Sequence, residues 1–213
     1  MIIKVCGLKF EQNLNDISAL DIDMVGYNFY EPSPRYVQNK LPNISSHIKK
    51  VGVFVNASES FILQKVYEYN LDYAQLHGDE NLEFCKKIKA YIPIIKVFRV
   101  NDKLDVNLLK TFDFCDFFLF DTATKQFGGS GQKFDWSLLN EFGIKVPFLL
   151  SGGIGPDDLE DILKISHSQF LGIDINSKFE ISPGLKDIEK VKAFVDEIKK
   201  LPELNSIITI TSL

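Results

Sequence analysis

Short, nearly unbroken apolar runs recur along the chain at residues 2–6, 24–29, 51–55, 73–76, 92–98, 117–120, 147–150 and 170–175. A strand buried on both faces shows no polar alternation, so runs of this kind predict the strands of a parallel sheet covered by helices. The intervening segments support that reading. Residues 60–67, 81–88, 156–163 and 187–198 carry apolar side chains three or four apart, the spacing of one buried helix face. Eight strand-and-helix units in one chain of 213 residues predict an α/β fold, a single-domain (β/α)8 TIM barrel. The alternative is an open doubly wound sheet, which usually carries a Gly-rich phosphate turn after its first strand. Here the first turn reads Cys6-Gly7-Leu8-Lys9.

Composition narrows the function classes. With 45% hydrophobic residues the chain can build one substantial core, expected over residues 1–200, followed by a β-prone tail at 201–213. A formal net charge of -5 gives no electrostatic footprint for nucleic acid. A small phosphorylated substrate stays compatible with that charge, because a few backbone amides suffice to bind one phosphate. No apolar run approaches twenty residues and no basic segment precedes an apolar leader, so a cytoplasmic protein without membrane contact is expected. Cys6, Cys85 and Cys115 are odd in number and widely spaced, with no second ligand type near any of them, which predicts reduced thiols and no metal.

Candidate chemistry gathers at strand ends. Cys6 closes the first strand, at the carboxyl edge where parallel α/β folds place their ligands. By position alone it reads first as a small buried hydrophobe, as most free cysteines are, and the rest of the chain reverses that order. Strand alternation puts Ile2, Lys4 and Cys6 on one side, and a lysine beside a thiol favours the thiolate. Asp121 ends the sixth run and is either a loop carboxylate or an acid facing Cys6, the pairing that enolisation needs. Arg35, within Ser33-Pro34-Arg35-Tyr36, is a solvated arginine or a carboxylate clamp, and His77 is a hydrogen-bonded core histidine or a substrate contact. The glycine-rich stretch 151–156 follows the seventh run, and residues 174–178 close the eighth. Loops in those two places commonly form a phosphate site in barrels.

In order along the chain stand Lys4-Val5-Cys6-Gly7, Ser33-Pro34-Arg35-Tyr36, Val51-Gly52-Val53-Phe54-Val55-Asn56, Gln75-Leu76-His77-Gly78-Asp79-Glu80 and Leu119-Phe120-Asp121-Thr122. They are followed by Gly128-Gly129-Ser130-Gly131, Phe134-Asp135-Trp136, Leu150-Ser151-Gly152-Gly153 and Ser182-Pro183-Gly184-Leu185-Lys186-Asp187. Through these motifs the chain resembles the phosphoribosylanthranilate isomerases of tryptophan biosynthesis. The resemblance implies a cofactor-free, metal-free barrel, a monomer or homodimer, that rearranges N-(5-phosphoribosyl)anthranilate to 1-(o-carboxyphenylamino)-1-deoxyribulose 5-phosphate. It implies Cys6 as general base and Asp121 as general acid. It places Arg35 near the anthranilate carboxylate, gives His77 and Asp174 substrate contacts, and assigns the phosphate to Gly152, Gly153, Asn176 and Ser177. Lys178 departs from the small residue common after that serine.

Two neighbouring readings are weaker. An indole-glycerol-phosphate synthase would carry catalytic lysines at several strand ends, and the aminoimidazole ribotide isomerase of histidine synthesis has an aspartate where this chain has Cys6. A non-catalytic phosphate-binding scaffold would be expected to have lost Cys6 or Asp121, and both are present.

Overall fold

All eight apolar runs become strands: β1 Ile2–Cys6, β2 Met24–Asn28, β3 Lys49–Phe54, β4 Tyr73–Leu76, β5 Ile94–Val100, β6 Phe117–Thr122, β7 Phe148–Leu150 and β8 Phe170–Ile175. Each pairs in parallel with the next, and β8 closes on β1, so the sheet is a closed (β/α)8-type barrel. The computed structural model describes residues 1–100, 104–122, 133–141 and 143–201. The motif at 128–131 and the tail beyond Leu201 lie outside them.

Two apolar layers explain the closure. Met24, Val51, Ile95, Val97, Leu119 and Leu149 fill the barrel's interior, with Ile2, Tyr73 and Phe117 packed against them. The outward faces of the strands join the helices in a second, larger core that includes Ile3, Val5, Leu76, Phe118 and Phe148. Ile2 belongs to the interior layer, so Lys4 and Cys6, two and four residues further along β1, point the same way toward the carboxyl end.

The helices are α1 Glu11–Ser18, α2 Glu59–Tyr69, α3 Leu82–Lys89, α4 Val106–Thr111, α5 Leu159–Leu163 and α6 Ile188–Lys199. Four start at side-chain caps: Ser58 for α2, Asn81 for α3, Asp105 for α4 and Asp187 for α6 each accept an amide of the first turn. The segment predicted as a helix at 156–163 divides into a 3-10 turn, Pro156–Asp158, and the short α5.

Two departures from a regular repeat shape the site. Between β2 and β3 there is no helix, because Pro32, Pro34 and Pro42 interrupt the segment, and it runs across the rim with a single bridge from Asn28 to Tyr36. After β8 the chain forms an antiparallel hairpin, β9 Glu180–Ser182 and β10 Leu185–Lys186. The strands of that hairpin are too short to have a readable period.

Candidate active site

Cys6 occupies the carboxyl end of β1 and is buried, with Gly26 of β2 directly beside it in register. The two are so close that a Cβ on Gly26 would lie 2.6 Å from the thiol sulfur. Lys4, two residues earlier, is fully buried, and its Nζ donates to Asp174 Oδ1 at 2.9 Å across the β1–β8 seam. Burial pushes the Cys6 thiol pKa up. The Lys4 ammonium opposes that rise by charge and by a hydrogen bond, and Lys186 opposes it by charge. Lys4 is itself held above the ordinary lysine value: burial works against its charge, and Asp174 and Cys6 outweigh it. The thiol is therefore desolvated, with two cations placed to compensate its negative form.

Asp121 stands near the end of β6, partly buried. Its Oδ1 accepts the Thr122 amide at 2.9 Å, and its Oδ2 lies 3.2 Å from His77 Nε2. His77 follows β4, and its Nδ1 meets the Gln75 amide nitrogen at 3.1 Å. With that amide donating to Nδ1, the ring hydrogen resides on Nε2 and is donated to Asp121. Asp174 feels the charges of both Asp121 and His77, which places the two halves of the site within electrostatic reach of each other.

Arg35 reaches the same rim from the proline-rich segment. Its Nε donates to Glu180 Oε1 at 2.9 Å and its Nη2 to Oε2 at 2.7 Å, a bidentate grip that engages one edge of the guanidinium. That grip uses Nε and Nη2, and Nη1 makes no hydrogen bond among the described residues. Glu180 also accepts Lys186 Nζ at 2.8 Å and the Gly184 amide at 3.0 Å. Burial disfavours its charge, but Arg35 and Lys186 keep its carboxyl below the ordinary glutamate range. Lys186 continues the chain of contacts to Asn176 Oδ1 at 2.7 Å.

On the phosphate side, Gly152 and Gly153 both adopt positive φ, 88° and 73°, which turns the chain sharply after β7 and is open to glycine at little cost. A side chain on Gly152 would also strike Asp121 Oδ1, at 2.8 Å, so this turn packs directly against the candidate acid. Asn176 precedes a 3-10 turn, Ser177–Phe179, and the exposed Lys178 lays its aliphatic stem against Gly155. Among the described residues no group of three or more His, Cys, Asp or Glu is placed to hold a metal ion.

A family model described as N-(5'phosphoribosyl)anthranilate (PRA) isomerase matches residues 3–197. The chain belongs to this family. A relative from Parabacteroides distasonis, named N-(5'-phosphoribosyl)anthranilate isomerase, is 45% identical over 206 residues, covering 93% of each chain. The phosphoribosyl anthranilate isomerase of Thermotoga maritima is similar in structure with a TM-score of 0.82 at 31% identity, covering 94% of this chain and all of that one. A further isomerase, solved in complex with reduced 1-(o-carboxyphenylamino)-1-deoxyribulose 5-phosphate, matches with a TM-score of 0.78 at 29% identity, covering 94% of this chain and 100% of that one.

Every site residue named from the sequence lies at the carboxyl end of the barrel or on the loops that leave it. Cys6, Asp174, Asp121 and His77 form one electrostatic group, and Gly152, Gly153, Asn176 and Ser177 follow β7 and β8. Sequence reasoning missed Glu180 and Lys186, although both lie within or beside the Ser182–Asp187 motif. A glutamate and a lysine on either side of Pro183-Gly184 were the available signal.

Proposed function

We propose that this chain catalyses the Amadori rearrangement of N-(5-phosphoribosyl)anthranilate to 1-(o-carboxyphenylamino)-1-deoxyribulose 5-phosphate, with Cys6 as general base and Asp121 as general acid. The observation that carries the reading is the pairing of unlike groups at one rim, a thiol flanked by buried lysines on one side and a carboxyl held by His77 on the other.

Opening the furanose requires a proton on the ring oxygen, which Asp121 gives up. His77 and the Thr122 amide each donate to the carboxylate that remains, so its charge is met where it forms. Loss of the ring C–O bond leaves an iminium that acidifies the C2′ hydrogen. Cys6 thiolate takes that proton, with Lys4 at hand to stabilise the anionic sulfur before transfer. The enolamine then tautomerises to the ketone, and no electrons leave the substrate.

Positioning comes from the two ends. Backbone amides around Gly152-Gly153 and Asn176-Ser177 are proposed to hold the phosphate, and Arg35 the anthranilate carboxylate. Fixing both ends sets C2′ over Cys6, which removes most of the orientational freedom from the proton transfer. The test is direct: purified protein mixed with freshly generated phosphoribosylanthranilate should consume the substrate's fluorescence and form the product without added metal or cofactor. Persistent fluorescence at the uncatalysed rate would reject the proposal.

A further inference from the structure

Of the two motifs Val51–Asn56 and Gln75–Glu80, only His77 and its partner Gln75 enter the chemistry just described, and the structure joins the rest through one buried charge pair. Lys96 of β5 lies in register with Leu76 of β4 and, like it, on the outward face of the barrel, in the layer shared with α3 and Cys85. There its Nζ meets Glu80 Oε2 at 2.8 Å, and the two side chains are 5% and 3% exposed. A buried lysine and glutamate in an otherwise apolar layer are a poor source of stability, since desolvation offsets most of their attraction.

What the pair holds gives it a purpose. Lys96 Nζ donates to Gly78 O at 3.0 Å and makes a longer 3.5 Å contact with Leu76 O, so it grips the backbone on both sides of His77. Glu80 accepts the Gly78 amide with both oxygens, at 3.1 and 3.0 Å, and the Asn56 amide at 2.9 Å. Asn56 in turn accepts the Asp79 amide at 2.8 Å, and it sits against Gly78 so closely that a Cβ there would fall 2.5 Å from Asn56 Oδ1. The loops after β3 and β4 are thereby locked to each other and to β5. His77 lies within this clamped segment, and its Nε2 is 3.2 Å from Asp121 Oδ2.

We propose that Lys96 and Glu80 are positioning residues that fix His77, and through it the orientation of the Asp121 carboxyl during ring opening. This rests on the assignment of Asp121 as the acid. A mispositioned His77 leaves substrate binding at the phosphate and carboxylate ends intact, so the loss falls on turnover.

The test is a double-mutant cycle with kcat and KM measured for the parent, Lys96→Met, His77→Ala and the double variant. Lys96→Met is expected to lower kcat about tenfold, as a small misplacement of catalytic groups does, with KM within about twofold of the parent. In the His77→Ala background the same substitution should cost nothing further, since the residue through which it acts is gone. Glu80→Gln, which keeps the side chain's shape, should repeat the pattern if the methionine variant folds poorly, and Lys96→Arg should restore part of kcat. Penalties that multiply in the double variant, or a loss carried by KM, would overturn the clamp alone. Parental kcat in His77→Ala would instead overturn the His77–Asp121 reading on which the clamp depends.

Discussion

Lys4 and Asp174 stand opposite each other in register where β8 closes the barrel on β1, and their side chains meet at 2.9 Å with exposures of 0% and 5%. An ammonium buried this deeply is retained by its partners, and one of those partners is the Cys6 thiol. The pair that seals the barrel seam also supplies the positive charge beside the base. Lys4→Met should therefore do two separable things. It should destabilise the fold by about 3–5 kcal/mol, because Asp174 is left buried without its counter-charge. It should also move the acid limb of the kcat/KM profile to higher pH by about one unit or more, because a cation that favoured the thiolate is gone. Urea unfolding reads the first and the pH profile the second, and an unmoved acid limb would separate Lys4 from the base.

The parent's own pH dependence follows from the same environment. Burial holds the Cys6 thiol above its usual range, so the thiolate is the minor form near neutrality and its fraction grows with pH. The rate constant kcat/KM is expected to rise continuously from pH 6 toward 9 as the thiolate fraction grows. A profile that is flat across this interval would mean that Cys6 is not the group being deprotonated.

Asp121→Asn keeps the shape of the carboxyl and its contact with the Thr122 amide while removing the transferable proton. The loss is expected in kcat, by about 100-fold or more, with KM little changed. Should only KM rise, Asp121 would be a binding group and His77, 3.2 Å away, the next candidate for the acid.

Gly26→Ala tests how tightly the thiol is placed. The added methyl group would sit 2.6 Å from Cys6 Sγ and 3.0 Å from its Cα, so the sulfur must move and the β1–β2 pair must spread. Activity should fall about 100-fold, the scale of a roughly 1 Å misplacement of a reacting group. A variant with parental activity would show that the position of the sulfur is not critical.

The strands were legible because a parallel sheet buried on both faces leaves nothing polar to interrupt its runs, and all eight appear within a few residues of their expected places. Strand alternation alone likewise puts Lys4 and Cys6 on one face. The missing helix between β2 and β3 was less visible, since Pro32, Pro34 and Pro42 forbid a helix without saying what replaces it. Partnerships between distant residues were not legible at all. Glu180 meets Arg35 across 145 residues and Lys96 meets Glu80 across 16, and both contacts exist only because barrel closure and strand register bring the elements together. Arg35 itself was read as a substrate clamp or a solvated side chain, and neither reading anticipated that one edge of its guanidinium is already engaged by Glu180.

The most direct test of the account compares the parent with Cys6→Ser on freshly generated phosphoribosylanthranilate, following the loss of fluorescence under single-turnover conditions. A hydroxyl in place of the thiol keeps the volume of the side chain but is far too weakly acidic to supply a base near neutral pH. The account predicts rapid consumption by the parent and a loss of about 100-fold or more in the variant, with binding of the reduced product analogue retained. A variant rate within about tenfold of the parent would contradict the assignment of Cys6 as the base that removes the C2′ proton.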